Sequence, residues 1–341
     1  MQKWLIILWL LWIGTGYAED NLVIYNWSEY LPQQVIDQFT EETGIDIQYA
    51  TYDSNEAMYA KVKTVQGEGY DLLVPSTYYV DRMRREGLLQ KLDKSRLSNF
   101  GNLNPRLLNQ PYDPDNNYSI PYLWGTTGIA INTDRVDPDK VVAWEDLWDS
   151  SYENKLLLLN DVREVFSMGL KTLGYSANST NEEEIRAAYE KLAQLMPNVR
   201  VFNAESPKDL FLAEEVILGM NWNGEVYMAN QENPSIRYIY PKEGVTVWMD
   251  NFVLSKRAKN VDAAYQFIDF ILRPDIAKII TEEIGYTSPN LEAVKLLPES
   301  LRNNRIVYPT EEDLKNAEFQ TDVGQSLPVY EKYWQRLKSG G

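Results

Sequence analysis

Three stretches of this chain set an indole or a phenol beside a carboxylate just after an apolar run. Trp27-Ser28-Glu29-Tyr30 follows Leu22-Val23-Ile24-Tyr25, and Trp248-Met249-Asp250 follows Val245-Thr246-Val247. Asn221-Trp222-Asn223-Gly224-Glu225 follows Val216-Ile217-Leu218. An aromatic face attracts positive charge and covers methylenes, while a carboxylate accepts charged N–H hydrogen bonds. The combination suits an organic amine. Asp161 and Glu164 follow a run of four leucines and would share one face of a helix. In open α/β sheets, ligands bind beyond the carboxyl ends of strands, where this pair falls. The same spacing also describes a helix N-cap with acids set against the dipole, so both roles stay open for Asp161 and Glu164. Trp27, Tyr30 and Trp222 fit packing at turns equally well, and Pro75-Ser76-Thr77-Tyr78 fits a helix cap. Asp250 lies between Met249 and Asn251-Phe252 and needs a partner if buried.

Other chemistries are closed off by composition. The chain has no histidine and no cysteine. Imidazole acid–base catalysis, Ser-His-Asp triads, His-ligated zinc, thiolate chemistry, disulfides and iron–sulfur sites are therefore excluded. Gly67-Glu68-Gly69 precedes an expected strand, where a dinucleotide fingerprint would follow one, and there is no phosphate loop or nucleophile elbow. Asn178-Ser179-Thr180 matches a glycosylation acceptor, a pattern short enough to occur by chance. Paired carboxylates suffice for glycoside hydrolysis, so a secreted glycosidase stands as the enzyme alternative. The formal net charge of −17 argues against nucleic acid. That surplus reads either as solubility or as a field that gathers a cationic ligand. No cofactor or metal is expected.

The elements that would carry these residues alternate. Residues 22–25, 45–49 and 71–75 read as strands, with helices over 32–42, 55–66 and about 79–86. This is β-α-β-α-β, the pattern of a mostly parallel sheet flanked by helices. A second series places strands at 156–160, 216–220, 236–241 and 245–254. Its helices fall at 163–173, 182–195, 263–272, 274–283 and 329–338, with loops at 99–118 and 176–181. Residues 1–18 read as an export leader. Lys3 supplies its charge, Trp4–Ile13 its apolar run, and Gly16-Tyr17-Ala18 a small-x-small cleavage site. The run is too short to span a bilayer, and no later window is apolar enough to anchor the chain. The remaining length suggests two domains. The absence of a composition break between halves suggests that the chain crosses between them more than once, near 126–128 and 249–251.

At these residues the chain resembles a known family, the periplasmic polyamine-binding proteins of ABC transporters, spermidine-preferring type. The resemblance rests on Tyr25–Tyr30, Asp71–Asp81, Asn221–Gly224, Pro241-Lys242-Glu243-Gly244 and Ile284–Asn290, and it runs in order over the mature chain. It implies a two-lobed α/β receptor of type II that closes on its ligand, the lobes being 19–126 with 250–292 and 127–249 with 293–341. It also implies capture without catalysis, an inner-membrane permease as partner, a periplasmic location and a monomer. By motif, Trp27, Ser28, Glu29, Tyr30, Ser76 and Tyr78 would line the cleft from one lobe. Asp161, Glu164 and Asp250 would receive ammonium groups, Trp222 and Trp248 would sandwich methylenes, and Tyr286 and Gln320 would complete the site. Ser28 stands where the family commonly has threonine, which keeps the hydroxyl and loses a methyl contact. Relatives favouring the diamine tend to differ at the positions of Tyr78 and Trp248 and to lack Tyr286, so spermidine is expected over putrescine. Nothing in the resemblance gives Glu225 a ligand role.

Overall fold

A computed structural model describes residues 21–339, so the expected leader and its cleavage near Ala18 lie outside the described residues. The chain opens with β1 (Asn21–Trp27), α1 (Gln33–Thr43), β2 (Asp46–Tyr52), α2 (Asn55–Thr64), β3 (Leu72–Leu73) and α3 (Thr77–Arg85). A long connection built of short 3₁₀ turns leads to β4 (Ser119–Asn132). The second series runs β5 (Leu156–Leu158), α4 (Val162–Thr172), α5 (Glu182–Leu195), β6 (Val199–Phe202), α6 (Pro207–Leu212), β7 (Leu218–Trp222), α7 (Asn223–Glu232), β8 (Ile236–Ile239) and β9 (Thr246–Leu254). It closes with α8 (Val261–Ile271), α9 (Pro274–Ile284), α10 (Leu291–Leu296), α11 (Glu299–Arg302), β10 (Glu318–Phe319) and α12 (Leu327–Lys338).

The elements form for local reasons that also set their direction. Helix α1 starts directly after Pro32, whose fixed φ suits a helix entrance, and buries Val35 and Phe39. It ends at Gly44, whose φ of 72° lets the chain turn back into β2. The buried Asp71 carboxylate ties β1 to the segment before α8, accepting hydrogen bonds from the amides of Val23, Lys259 and Asn260.

The strands run in the order β2-β1-β3-β9-β4-β7-β5-β6, with β10 beside β9 and β8 beside β4. Strands β2, β1 and β3 are mutually parallel, as are β7, β5 and β6. Between these groups lie β9 and β4, antiparallel to each other and to their outer neighbours. Strand β4 changes partner along its length: residues 119–127 pair with β9, and residues 129–132 pair with β8. Two large apolar cores accompany the two strand groups. One gathers residues from Leu22 to Leu123 and from Trp248 to Tyr286, and the other gathers Ile129 to Met220 with Val323 to Leu337. Trp222 packs against both.

The expected strand–helix alternation holds through the first six elements, with ends shifted by a few residues. Seven elements were not anticipated: β4, β6, α6, α7, α10, α11 and β10. Strand β4 is buried along nearly its whole length, so it shows no alternation, and Pro121, Gly125 and Gly128 read as breaks. Helix α7 buries Asn223 through Tyr227 without interruption, which erases the helical period of its first turns.

Candidate functional site

The turns that leave the carboxyl ends of β1, β2, β3, β5, β6 and β7 meet the middle of β9 around one cavity, with about 510 Å³ of empty space that is partly open to solvent. This is where an open α/β sheet binds ligand. Twelve of the thirteen residues expected at the site line it: Trp27, Ser28, Tyr30, Ser76, Tyr78, Asp161, Glu164, Trp222, Trp248, Asp250, Tyr286 and Gln320. The thirteenth, Glu29, does not. It sits at a tight turn with φ of 50°, exposed, and its carboxylate pairs with Lys208. Four residues not expected also line the cavity, namely Asn55, Ala204, Glu205 and Glu225.

Strand β9 supplies Trp248 and Asp250 two residues apart, so both project from the same face. Asp250 accepts a hydrogen bond from Ser76 Oγ at 2.5 Å and one from the Tyr30 hydroxyl at 2.8 Å. Asn55 fixes the same corner: its Nδ2 donates to Ser76 Oγ and to the Tyr78 hydroxyl, each at 3.0 Å. Burial pushes the Asp250 carboxyl up to about 7 against the lowering effect of its two donors, and the nearby Asp161 adds to the rise.

Strand β5 ends at Leu158, and the chain delivers Asp161 and Glu164 to the start of α4. Asp161 is the N-cap: its Oδ1 accepts from the amides of Arg163 at 2.8 Å and Glu164 at 3.0 Å. Asp161 is thus both the cap of α4 and a lining residue of the cavity. Its pKa is raised by burial and held back by those amides. Glu164 accepts from Thr246 Oγ1 at 2.8 Å, and burial, then the Asp161 charge, push its carboxyl up to about 8.

Rings make up the remaining wall. Trp248 anchors its indole N–H on Thr127 Oγ1 at 3.1 Å and meets the Tyr286 ring at 5.3 Å. Tyr286 meets Tyr30 at 5.2 Å, and Trp27 meets Trp222 edge to face at 6.0 Å. Two glycines make room for these rings. A Cβ on Gly125 would lie 2.7 Å from the Trp248 indole, and one on Gly224 would lie 2.4 Å from the Tyr286 ring. Gln320 is buried with its Nε2 unpartnered, while its backbone amide bonds Val247 on β9.

The electrostatics are one-sided. Asp161, Glu164, Glu225 and Asp250 are each 5% exposed or less. Among the described residues, no Lys or Arg nitrogen forms an ion pair with any of them. Lys208 pairs with Glu29 and Asp209. The buried Arg163 guanidinium instead donates to the carbonyls of Thr321 and Ala177 and lies 5.4 Å from the Tyr78 ring. Carboxylates held in low dielectric without a counter-ion favour a cation that supplies several N–H donors. The neighbouring rings favour one whose charges are separated by apolar links.

Glu225 belongs to the third aromatic–acid stretch but was left out of the expected site because the resemblance gives it no ligand role; the structure places it on the cavity wall, three residues past Trp222 in α7. Asn55 was read only as the start of a helix.

Comparison with known proteins gives the family. Residues 34–305 match the family model described as bacterial extracellular solute-binding protein. The chain is 51% identical to the spermidine/putrescine-binding periplasmic protein of Escherichia coli strain K12, with all of both chains covered. It is 49% identical to the protein of the same description from Salmonella typhimurium strain LT2, again over the whole of both chains. A solved structure described as a putative spermidine/putrescine ABC transporter from Listeria monocytogenes matches with a TM-score of 0.90 and 40% identity, covering 94% of this chain and 99% of that one. These relatives are named as binding and transport proteins, in line with the expectation of capture without catalysis. The chain belongs to the bacterial extracellular solute-binding protein family.

Proposed function

We propose that this protein captures a polyamine, spermidine in preference to putrescine, and delivers it to an inner-membrane ABC permease. The observation that carries this reading is the cavity where Asp161, Glu164 and Asp250 stand among Trp27, Trp222, Trp248 and Tyr286, with none of the three acids ion-paired to a Lys or Arg among the described residues. A polyamine is a row of ammonium groups joined by methylenes. Carboxylates take the nitrogens and rings cover the links, each ring–cation contact contributing roughly 0.5–2 kcal/mol according to desolvation. Ser76, Tyr30, Tyr78 and Gln320 hold the acids in place or add polar contacts. The resemblance of the chain to relatives named for spermidine and putrescine supports the same ligand class.

Binding needs no bond-making. The empty cavity holds acids that repel one another, which favours an open arrangement, and a cation bridging both walls favours a closed one. In this reading the lobes are 19–126 with 250–292 and 127–249 with 293–341, hinged where β4 and β9 change partners. The chain is exported by its leader, cleaved near Ala18, and works in the periplasm as an unanchored monomer. Isothermal calorimetry of the purified mature protein tests the reading. Spermidine should bind tightly and putrescine more weakly; a protein that binds neither amine refutes it.

A further inference from the structure

We propose that Lys208 is a built-in competitor for the ligand: its ammonium occupies the Glu29 carboxylate at the cavity rim, yields that carboxylate to a ligand ammonium, and moves to Glu225. The inference rests on the polyamine reading above and deepens it by naming residues that tune affinity at one end of the cavity. Glu29 lies between Ser28 and Tyr30, which both line the cavity, and its own side chain is 44% exposed, so it stands at the rim. Lys208 reaches the same rim from α6, just after the lining residues Ala204 and Glu205. Its side chain is only 13% exposed, and its ammonium pairs with Glu29, with Asp209 at 3.9 Å. Glu225, buried on the cavity wall, adjoins the same lysine: its Oε2 accepts a hydrogen bond from the Lys208 amide at 3.2 Å, and it forms no ion pair among the described residues.

Three acids thus share one ammonium. The charges acting on Lys208 are those of Glu29, Glu225 and Asp209, and the charges acting on Glu225 are those of Lys208, Glu29 and Asp209. Burial works against the Lys208 charge, and the Glu29 hydrogen bond followed by the Glu225 charge more than offset it. Burial also pushes the Glu225 carboxyl up to about 7, with Lys208 opposing the rise. Glu29 keeps the lysine because desolvation disfavours an ionised Glu225. An arriving ammonium changes that balance, since two like charges repel one another at a single carboxylate. The Glu29 pair is half exposed, so solvent and salt screen it and its displacement costs little. Glu225 sits beside the lysine's own backbone, and the flexible lysine stem can redirect the ammonium without moving α6. This end is set apart from the other acids of the cavity. Beyond burial, Asp161 is the charge that raises Glu164 and Asp250, whereas Glu29 and Asp209 raise Glu225. A ligand whose ammonium groups are separated by methylenes can engage both groups of acids at once.

Calorimetric titrations with spermidine at pH 8 test this on the wild type, Lys208→Met, Glu225→Gln and the double variant, each first shown to melt cooperatively. Lys208→Met keeps the apolar stem and removes the competing charge. Spermidine affinity should rise about two- to fivefold, the worth of a partly exposed ion pair that no longer has to be broken. Glu225→Gln takes away the second partner of the lysine and should weaken binding about two- to fivefold while Lys208 is present. In the Lys208→Met background the same change should have no effect, because the two residues act as one unit. If Lys208→Met fails to fold, Lys208→Gln removes the same charge and should show the same gain. Unchanged or weaker binding in the Lys208 variant overturns the competition. A Glu225→Gln loss that is absent, or that persists undiminished without Lys208, overturns the transfer, and in all these cases polyamine capture stands. A wild type that binds no polyamine overturns the underlying reading instead.

Discussion

Asp250→Asn separates the ligand-binding role of the cavity from its role in stability, because the two should move in opposite directions. In the wild type, Asp250 is 3% exposed and held by Ser76 Oγ and the Tyr30 hydroxyl, both neutral. Asparagine keeps the shape and one acceptor oxygen, and the hydroxyls can re-orient to suit an amide. The ligand loses the charge. Truncating one partner of a buried charged pair costs about 2–4 kcal/mol in such settings, so spermidine affinity should fall roughly 30- to 1,000-fold. Ligand-free stability should rise. The folded carboxyl titrates at about 7 against an ordinary 3.8. A folded pKa above the unfolded one means that the stability from this group is present below pH 4 and is lost as pH rises through 7. At pH 8 the wild type therefore carries an uncompensated charge whose removal is worth on the order of 2–4 kcal/mol. The measurements are calorimetric titration with spermidine and thermal unfolding without ligand, both at pH 8. Affinity within threefold of wild type, or a ligand-free melting temperature that drops at pH 8, would refute the reasoning.

Three further outcomes are expected. Trp248→Leu keeps an apolar side chain but removes the ring that faces the ligand; spermidine affinity should fall about five- to thirtyfold, the value of one desolvated ring–cation contact, as read by the same titration. Gly224→Ala places a Cβ 2.4 Å from the Tyr286 ring, and the overpacking should cost about 1–3 kcal/mol in denaturant unfolding and weaken binding as the ring shifts. Binding should release protons near pH 7. Asp250 and Glu225 titrate at about 7 and Glu164 at about 8 when the cavity is empty, and a bound cation favours their ionised forms. Calorimetric heats should therefore differ between phosphate and Tris at pH 7, and affinity should fall between pH 8 and pH 6; equal heats in the two buffers would count against ionisation on binding.

Much of the site was legible before the structure because its aromatic and acidic residues sit just beyond apolar strands, where chemistry and topology coincide. What stayed hidden was hidden by burial and backbone conformation. Gly125 and Gly128 look like loop punctuation. In the fold they admit the Trp248 indole and the Tyr238 ring against a central strand. Glu29 and Glu225 look alike as aromatic–acid neighbours. Glu29 sits at a left-handed turn and pairs with Lys208, while Glu225 lies in the buried opening turns of α7. Neither a positive φ at a glutamate nor an uninterrupted run of buried residues at a helix start leaves a mark in the pattern of residues. The parallel outer strands were foreseeable from strand–helix alternation, but the antiparallel pair β4 and β9 was not, because a doubly buried strand has no period of two.

The acids at the cavity share a construction that bears on the chain's overall charge. Three are fixed through one oxygen by neutral donors of the scaffold, Asp161 by two helix amides, Glu164 by Thr246 and Glu225 by the Lys208 amide, and Asp250 is held through both oxygens by the Ser76 and Tyr30 hydroxyls. Fixing a carboxylate with neutral donors orients it without cancelling its charge, and lone pairs remain for a ligand. A lysine in the same place would orient it equally well and offset its charge, as Lys208 does for Glu29. Pre-positioned groups also lose less rotamer freedom when a ligand arrives, and affinity rises by that saving. The attraction for a cation is thus set by a few acids withheld from counter-ions. The surplus of exposed acids lies on a screened surface, where its reach is limited to about a Debye length. On the proposed function, that division would let one chain carry a net charge of −17 for solubility or steering while the buried carboxylates decide selectivity.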